Sequence, residues 1–447
     1  MFGRVLANAG TLLGGRAVNV AVSLGYIALT ARGLGAVETG VLVLINAFAQ
    51  FLGEVVKFQS WQTVLQYGTA PLLEGDRPRF QQVVRLSLFL DLTSGLAGVL
   101  LGVTGALLLG PLLGWSAQAA PSAALYALTI FVMTSATSVG LLRLFDRFRY
   151  LAGEQAVSST IRLIGAAIAF GLDAPLWAFL LAWAAGPVAS FLYVGVVSWR
   201  EMDRRKLLDG FRLTGPLSEG LPGVWKFAWA TNFNSSLEVA FTHAITLLVG
   251  AVLGPGPAAL WRVGRQVADG MAKPARLVIP ALYPELAKLR ALGGDAAMRK
   301  LAGQIALLGG AVAGALLLIT VLVGKPLLVL IMGEAFGAAS QVMTWQVAAA
   351  AIGVLALPLE PMLVSMRAAG AVLRVRLAVS VVFLLALTPL VKTWGLDGAG
   401  AALMGAALAM AIGLLLTLRT QLAKSPTSRD NEPTCAKDAK DAKGGRP

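Results

Sequence analysis

The sequence predicts an all-α integral membrane protein in which about twelve transmembrane helices form two six-helix lobes around a central cleft. Hydrophobic residues make up 57% of the chain and charged residues only 13%, whereas soluble domains carry about 25% charge. The mean hydropathy of the chain is +0.74. Apolar stretches of about 20 residues, the length that crosses a bilayer, recur along the sequence. They lie at 5–31, 38–56, 80–107, 121–143, 155–172, 174–198, 224–252, 257–282, 300–323, 338–363, 369–391 and 395–419.

The eighth of these stretches differs from the others because it carries a stripe of charge. Its five charged residues fall within about 80° of one another around a helix, and the opposite face is apolar. Charge at the depth of the bilayer is costly, so it normally faces a water-filled cavity or a polar partner. The stripe therefore predicts a path for a charged substance. Its members are Arg262, Arg265, Asp269, Lys273 and Arg276.

Basic residues are unequally divided between the two sides of the membrane. If successive connections alternate sides, one side receives 28 Lys and Arg residues and the other receives three, Arg32, Lys325 and Lys392. Cytoplasmic loops carry the excess of positive charge, so both termini are expected in the cytoplasm. The eighth span is needed for this asymmetry, because without it every later loop would change sides. The same division accounts for the net charge of +14 without a nucleic-acid partner.

The longest cytoplasmic connection divides the chain into two lobes. We expect an N-terminal six-helix lobe at 1–198, an inter-lobe loop at 199–223, a C-terminal six-helix lobe at 224–420 and a disordered cytoplasmic tail at 421–447. The tail is rich in Lys, Asp, Pro and Gly, a composition that cannot form a core. It also holds the single cysteine, Cys435, which excludes an internal disulfide.

A weak internal repeat relates the two lobes at an offset of 219 residues. Leu34-Gly35 matches Leu253-Gly254, and polar positions coincide around these motifs. Six helices per lobe would give the lobes the same orientation, and transporters built from such repeats bind their substrates where the repeats meet. The matching polar pairs are Asn19 with Glu238, Asn46 with Arg265, Gln50 with Asp269, Glu54 with Lys273, and Lys57 with Arg276.

The polar faces of helices 1, 2, 7 and 8 are expected to line the cleft between the lobes. Arginine suits an anionic ligand there, because its guanidinium is always charged and can bind two phosphate oxygens at once. The predicted substrate-binding residues of this cationic cleft are Arg16, Arg262, Arg265, Lys273, Arg276, Asn19, Asn46 and Gln50. Four acidic residues are candidates for a coupling cation or proton, or for structural ion pairs with the arginines: Glu54, Glu238, Asp269 and Glu360.

Several charged or titratable residues of the spans have a second possible role or partner. Asp91 is a further candidate partner for the arginines, and Arg162 is one more basic residue inside a predicted span. Lys273 and Arg276 lie near the cytoplasmic end of their helix, where they could meet lipid headgroups instead of cargo. His243, the only histidine, is interpreted as a packed residue of helix 7 rather than a proton relay.

Three short motifs of the sequence carry a resemblance to a known family. They are Thr30-Ala31-Arg32-Gly33-Leu34-Gly35 followed by Gly40, Phe58-Gln59-Ser60-Trp61-Gln62 after helix 2, and Tyr283-Pro284-Glu285-Leu286-Ala287 after helix 8. These motifs resemble those of polysaccharide and O-antigen flippases, which belong to the multidrug/oligosaccharidyl-lipid/polysaccharide exporter superfamily. The resemblance covers about residues 1–420, including the twelve-helix layout.

This resemblance implies a flippase of the bacterial inner membrane. The expected cargo is an oligosaccharide linked to undecaprenyl diphosphate, moved by alternating access from the cytoplasmic to the periplasmic leaflet for polysaccharide or lipopolysaccharide export. The expected partners are this lipid-linked oligosaccharide, membrane lipids and proteins of polysaccharide assembly. Arg16 and the helix 8 arginines match the cationic cavity of the family by character and helix, not by motif.

Three other functions stay open at this point: a multidrug antiporter, a membrane-bound glycan polymerase or ligase, and a scramblase or structural scaffold without vectorial transport. A cation-coupled multidrug antiporter of the same superfamily would use an acid-lined cavity, whereas basic residues dominate helix 8. An integral-membrane glycan polymerase or ligase would need catalytic groups in a large outer loop. The outer connections are short and offer no His, Cys or metal-ligand cluster. No GxxxxGK[ST] motif for ATP hydrolysis occurs either. We therefore expect a transporter without catalytic residues, cofactor or metal.

Overall fold

The structure, a computed structural model, describes residues 2–110, 115, 119–276, 295–366 and 368–424. Every regular element in these residues is a helix, fourteen α-helices and one 3-10 turn at Glu334–Phe336. The helices are α1 (Phe2–Val56), α2 (Ser60–Glu74), α3 (Arg77–Leu109), α4 (Ala119–Ala127), α5 (Thr129–Thr134), α6 (Thr137–Leu144), α7 (Phe148–Gly171), α8 (Leu176–Arg204), α9 (Val224–Leu253), α10 (Pro255–Arg276), α11 (Asp295–Met332), α12 (Ala339–Ala356), α13 (Leu359–Ser365) and α14 (Ala369–Lys424).

The first and last helices each cross the membrane twice, because a glycine reverses the chain inside them. Gly35 in α1 has φ 70° and ψ −178°, and Gly395 in α14 has φ 60° and ψ −136°. A residue with a Cβ rarely adopts a positive φ of this kind, so glycine permits these turns without a loop. The apolar segments around the two glycines, Ala21–Glu74 and Gly370–Gln421, contain 54 and 52 residues.

Two further crossings consist of several pieces. Helices α4, α5 and α6 follow one another through one crossing, and α12 and α13 share another that is interrupted at Leu357 and Pro358. Counted this way, the described residues make twelve crossings, six before and six after the connection between α8 and α9. The predicted all-α, twelve-helix, two-lobe fold is confirmed by the helices and by the structural comparisons below.

One helix was not expected from the sequence. Helix α2 follows the second crossing, where we had predicted only a connection. It is 15 residues long, too short to cross a bilayer. It contains Gly68 and Pro71, both of which weaken a helical signal. Its buried residues pack against α3 and α6, which stabilise the short helix.

The second half of α1 is the centre of the packing. Every residue from 42 to 49 is buried, including Asn46. Helix α7 of the N-terminal lobe and helices α9 and α10 of the C-terminal lobe all pack against α1. A helix that is apolar on all sides belongs in the interior of a bundle. This segment therefore joins the two lobes through one continuous hydrophobic core that also includes Trp183, Trp261 and Phe336.

The connection between the lobes is attached to the N-terminal lobe. Helix α8 continues to Arg204, and side chains of α3, among them Gln81 and Gln82, then hold the chain that follows. Gln81 Nε2 donates to the carbonyl oxygens of Leu207 (2.8 Å) and Asp209 (3.0 Å). Gln82 Nε2 donates to the Glu219 carbonyl oxygen at 2.6 Å. The loop thus lies against α3 rather than extending freely from the bundle.

Asp91 stabilises the break in the fourth crossing. Its carboxylate accepts hydrogen bonds from Ser60 Oγ (2.5 Å), Ser135 Oγ (3.2 Å) and the backbone N–H groups of Ala136 (3.0 Å) and Thr137 (2.9 Å). The first N–H groups of a helix have no partner within the helix, and a carboxylate at that end also interacts favourably with the helix dipole. Asp91 therefore caps α6 and fixes its position beside α2 and α3.

Some of the predicted features lie outside the described residues. These are the end of the eighth span beyond Arg276, the motif at Tyr283-Pro284-Glu285-Leu286-Ala287, and the tail from residue 425 onward. The last helix continues to Lys424, four residues into the segment that we expected to be tail.

We predict that Asp91→Ala lowers the free energy of unfolding by about 1–3 kcal/mol, because four donors lose a charged acceptor and the N-terminus of α6 loses its cap. Asp209→Ala is the matched control. Its carboxylate forms only an exposed ion pair with Arg77 at 3.3 Å, so about 0.5 kcal/mol or less is expected. The melting temperatures of the two variants in detergent check this order, and equal melting temperatures would contradict it.

Candidate functional site

A polar cavity of about 420 Å³ lies within the N-terminal lobe. Its walls come from the end of α1, from α2, α5, α6, α7 and α8, and from one residue of α9, His243. The cavity lies toward the ends of α1 and α6 and the beginning of α7, which is the side that the charge distribution predicts to be cytoplasmic. Five charged residues line it: Glu54, Lys57, Arg143, Glu154 and Arg162.

Helix α7 presents a line of polar residues to this cavity. Glu154, Ser158 and Arg162 follow one another at intervals of four, which places them on one face of the helix. Ser190 Oγ of α8 donates to Glu154 Oε1 at 3.3 Å. Because a helix rises 1.5 Å per residue, Arg162 lies about 12 Å deeper along the helix axis than Glu154.

The charges at the shallow end of the cavity are nearly balanced. Lys57 Nζ lies 3.9 Å from Glu54 Oε1, and Glu154 is within electrostatic reach of both Lys57 and Arg143. The Arg143 guanidinium lies 4.1 Å from the centre of the Trp61 ring, a typical distance for a cation–π interaction. Two cations and two carboxylates thus share this end.

The predicted polar residues of the second crossing form a connected pair. Tyr126 donates its hydroxyl to Asn46 Oδ1 at 2.9 Å, and Gln50 Nε2 donates to the same oxygen at 3.3 Å. Gln50 also lines the cavity, whereas Asn46 is buried behind it. Asn46 therefore orients Gln50, and Gln50 is the member of the pair that a ligand can reach.

The two arginines of α10 lie where the lobes meet. Arg265 Nε is 3.2 Å from Asp269 Oδ1, one turn further along the helix. Arg262 has no ion pair among the described residues, and it lies within electrostatic reach of Arg265, Asp269, Arg162 and Tyr26. The cavity lining does not include Arg262 or Arg265, but His243 lies within electrostatic reach of both. The deep end of the cavity thus adjoins the predicted cationic stripe.

The other predicted residues lie elsewhere or outside the described side chains. Glu360 forms a two-oxygen ion pair with Arg376, at 3.0 Å to each oxygen, on the exposed face of the C-terminal lobe. Asn19 has a buried Oδ1 to which no described residue donates a hydrogen bond. The helices that carry four more residues are described, but these side chains are not: Arg16, Glu238, Lys273 and Arg276.

Arg143 and Glu154 line the cavity but were not among the predicted site residues. Each lies near the end of a crossing, where charge is ordinary and predicts only a membrane boundary. The four-residue spacing of Glu154, Ser158 and Arg162 was the one available signal. It indicates a polar helix face, but it does not reveal whether that face meets lipid, solvent or another helix.

The lobes are also joined at the opposite end, near the turn at Gly35. Arg32 donates its Nε to the Ile331 carbonyl oxygen at 2.9 Å and its Nη2 to the Leu330 carbonyl oxygen. Both carbonyl groups belong to the last turn of α11, where the helix has no donors for them. Close by in the chain, Gly40 packs so tightly that a Cβ would lie 1.9 Å from the Pro255 carbonyl oxygen. We call this contact between the lobes, made by Arg32 and Gly40, the outer contact.

Comparison with known proteins identifies one similar sequence and several similar structures. No family model matches the chain. The inner membrane protein YghQ of Escherichia coli (strain K12) is 33% identical over 329 residues, which cover 70% of this chain and 89% of YghQ.

Two solved structures share the architecture at 13% identity. One is an inward-facing multidrug resistance MATE family transporter of the MOP superfamily, with a TM-score of 0.71 over 92% of this chain and 96% of that one. The other is the lipid II flippase MurJ in an inward closed conformation, with a TM-score of 0.67 over 92% of this chain and 87% of that one. The chain therefore has the fold of these two proteins, a transporter of the MOP superfamily and a flippase.

Proposed function

The chain belongs to the family of the Escherichia coli inner membrane protein YghQ, and from this premise we propose that it is a flippase for a lipid-linked oligosaccharide. It is a multi-pass inner-membrane protein with a MOP transporter fold. The proposed cargo is an oligosaccharide on undecaprenyl diphosphate, moved from the cytoplasmic to the periplasmic leaflet for polysaccharide or lipopolysaccharide export. Proteins of polysaccharide assembly are the proposed partners before and after this step.

The observation that carries the proposal is the excess of cationic groups where the lobes meet. Arg262 and Arg265 share one acidic neighbour, Asp269, among the described residues. An unneutralised cation inside a membrane protein is costly unless it has a partner. A diphosphate supplies at least two negative charges and suits the planar guanidinium. The polar cavity beside this cluster offers room for a sugar, whose hydroxyl groups can bond with Gln50, Ser158 and Ser190.

A cation-coupled multidrug antiporter is the second candidate, and one observation favours it. Glu54 and Glu154 line the cavity, and carboxylates are the groups that would bind a cationic drug or a coupling ion. Lys57 and Arg143 offset these two charges at the same end of the cavity, so the carboxylates there are already matched. Glu54 and Asp269 stay candidates for coupling an ion to the transport of an anionic cargo.

Alternating access is the proposed mechanism, and the positions of the contacts between the lobes support it. The outer contact closes the cleft at the end that is expected to be periplasmic, while the cavity lies toward the other end. Cargo would enter from the cytoplasmic leaflet in this state. Rocking of the lobes about the buried part of α1 would then break the outer contact and expose the same cavity to the periplasm.

We predict that Arg265→Gln and Arg262→Gln abolish export of the surface polysaccharide without impairing membrane insertion, because each variant removes a cation from the proposed diphosphate site. Complementation of a deletion strain, with polysaccharide measured on the cell surface, checks this. Arg376→Gln is the control, since Arg376 pairs with Glu360 on an exposed face and should complement fully. Near-normal polysaccharide in both cleft variants would refute the assignment of the site.

The cargo itself is tested by depleting the protein and determining which leaflet holds the lipid-linked oligosaccharide with a membrane-impermeant probe. We expect accumulation in the cytoplasmic leaflet together with loss of surface polysaccharide. A normal distribution, combined with drug resistance on overexpression, would favour the antiporter. Accumulation in the periplasmic leaflet would instead indicate a later enzymatic step.

We predict that Arg32→Gln shifts the protein toward the state that is open to the periplasm, because two hydrogen bonds between the lobes are lost. A loss of about 1 kcal/mol changes the ratio of the two states about fivefold. The readout is labelling of Ser158→Cys, in a Cys435→Ser background, by an impermeant maleimide added to the periplasmic side. Labelling should become several times faster with Arg32→Gln and stay unchanged with Arg376→Gln. An unchanged rate with Arg32→Gln would show that Arg32 does not hold the lobes together.

A further inference from the structure

Arg162 is a cation of the N-terminal lobe that has no acidic partner among the described residues. It lines the cavity, and its buried Nε atom meets no hydrogen-bond acceptor in the part of the chain that the structure describes. No carboxylate pairs with it among the residues that the structure describes. Glu154, on the same helix face, lies about 12 Å away along the helix axis. Burying a guanidinium, even in part, without pairing it is unfavourable, and the described residues do not give Arg162 the partner that a purely structural role would need.

The surroundings of Arg162 nevertheless hold it in one position. Its guanidinium carbon lies 5.7 Å from the centre of the Tyr26 ring and 5.5 Å from that of the Trp183 ring. The two rings contact each other edge to face at 5.2 Å, and Trp183 Nε1 donates to Thr30 Oγ1 at 3.2 Å, which fixes the indole. Aromatic faces attract a cation but leave its N–H groups free to donate elsewhere.

Space for the side chain also depends on a glycine. A Cβ on Gly186 would lie 2.6 Å from Arg162 Nε and 2.8 Å from its Cγ, so any other residue at 186 would displace the guanidinium. The two rings and Gly186 together form what we call the Arg162 cradle. A cradle that positions a cation while its described residues offer the Nε atom no acceptor is suited to a ligand that brings the acceptor.

A second cation, from the other lobe, lies within electrostatic reach of Arg162. Arg262 of α10 lies within electrostatic reach of Arg162 and of Tyr26, one of the cradle residues. Two like charges from different lobes repel each other when nothing lies between them. An anion placed between them is attracted to both, and it turns the repulsion between the lobes into an attraction.

From this arrangement we propose that Arg162 and Arg262 bind one phosphate or diphosphate group between the lobes, and that this group draws the lobes together. The proposal rests on the proposed flippase function, to which it adds the residue of the N-terminal lobe that takes the anion. Arg162 supplies guanidinium donors from the cradle and Arg262 supplies them from α10. Binding of the anionic group therefore promotes closure of the cleft around the cargo, and an uncharged lipid-linked sugar would not do so.

The test measures anion binding by the purified full-length protein in detergent, with farnesyl diphosphate and inorganic diphosphate as probes. We expect farnesyl diphosphate to raise the melting temperature of the wild-type protein. Arg162→Gln should weaken its binding about tenfold or more, because charged hydrogen bonds are lost. Arg162→Lys should bind with intermediate affinity, since it keeps the charge but loses the planar fork. Gly186→Ala should weaken binding by displacing Arg162, and Arg376→Gln should bind as the wild type does.

Stability without any probe separates a ligand-binding role from a structural one. If the role of Arg162 is to bind a ligand, the Arg162→Gln variant melts at the same temperature as the wild type or higher, because an unpaired buried cation has been removed. A lower melting temperature together with an undiminished response to farnesyl diphosphate would overturn the proposal. If Arg162→Gln does not fold, the binding of farnesyl diphosphate by Arg162→Lys and Gly186→Ala tests the proposal instead. Binding as tight as that of the wild type in both variants would overturn the proposal.

Further outcomes test whether the two arginines share one site, whether its ligand is a lipid or a soluble anion, and whether the site stands if the flippase function fails. In the double variant Arg162→Gln/Arg262→Gln, the loss of affinity should be smaller than the combined single losses, because both residues hold one group. Fully additive losses would overturn the shared site. Binding of inorganic diphosphate as tight as that of farnesyl diphosphate would support the site with a soluble anion as its ligand. If depletion leaves lipid-linked oligosaccharide normally distributed while Arg162-dependent binding persists, the flippase function fails and the anion site stands.

Discussion

The burial of the second half of α1 is the constraint on which the rest of the structure depends. Residues 42–49 are buried on every side, with helices of both lobes packed around them. A polar residue can occupy such a position only when its hydrogen bonds are satisfied. Asn46 meets this condition through Tyr126 and Gln50. The same helix therefore joins the lobes through its apolar surface, and its polar residues lead from its buried middle to the cavity.

Charge is distributed unevenly along that path, and the distribution gives its two ends different properties. At the shallow end Lys57 and Arg143 are matched by Glu54 and Glu154. At the deep end Arg162 and Arg262 have no carboxylate of their own among the described residues, and Arg265 is next to Asp269. A matched end admits water and polar groups without strongly favouring either sign, whereas an excess of cations selects an anion. A ligand that enters the cavity therefore meets the matched charges first and then the excess of cations, which selects an anion.

The contacts between the lobes are of two kinds. The apolar core around α1 changes little if the lobes tilt slightly, because hydrophobic contacts are not directional. The outer contact is directional, since Arg32 must meet two carbonyl groups at the end of α11 and Gly40 must meet Pro255 closely. A junction with a tolerant centre and a specific contact at one end is suited to two alternative orientations of the lobes. The proposed anion between Arg162 and Arg262 would add a third, ligand-dependent contact.

The sequence by itself determined the membrane class, the twelve crossings and the presence of charge in α10, because apolar length and the cost of buried charge are properties of local composition. It also placed Gln50 and Glu54 on one polar face of their helix, expected to line the cleft between the lobes, and the structure has both residues in the cavity of the N-terminal lobe. It did not predict helix α2, the cap formed by Asp91, or the cavity residues Arg143 and Glu154. Those depend on which helices become neighbours: Arg162 and its cradle unite residues from three separate helices, and Glu360 pairs with Arg376. Only the tertiary structure decides which charges are paired, because the distance between two side chains on different helices is not encoded by the spacing within either one.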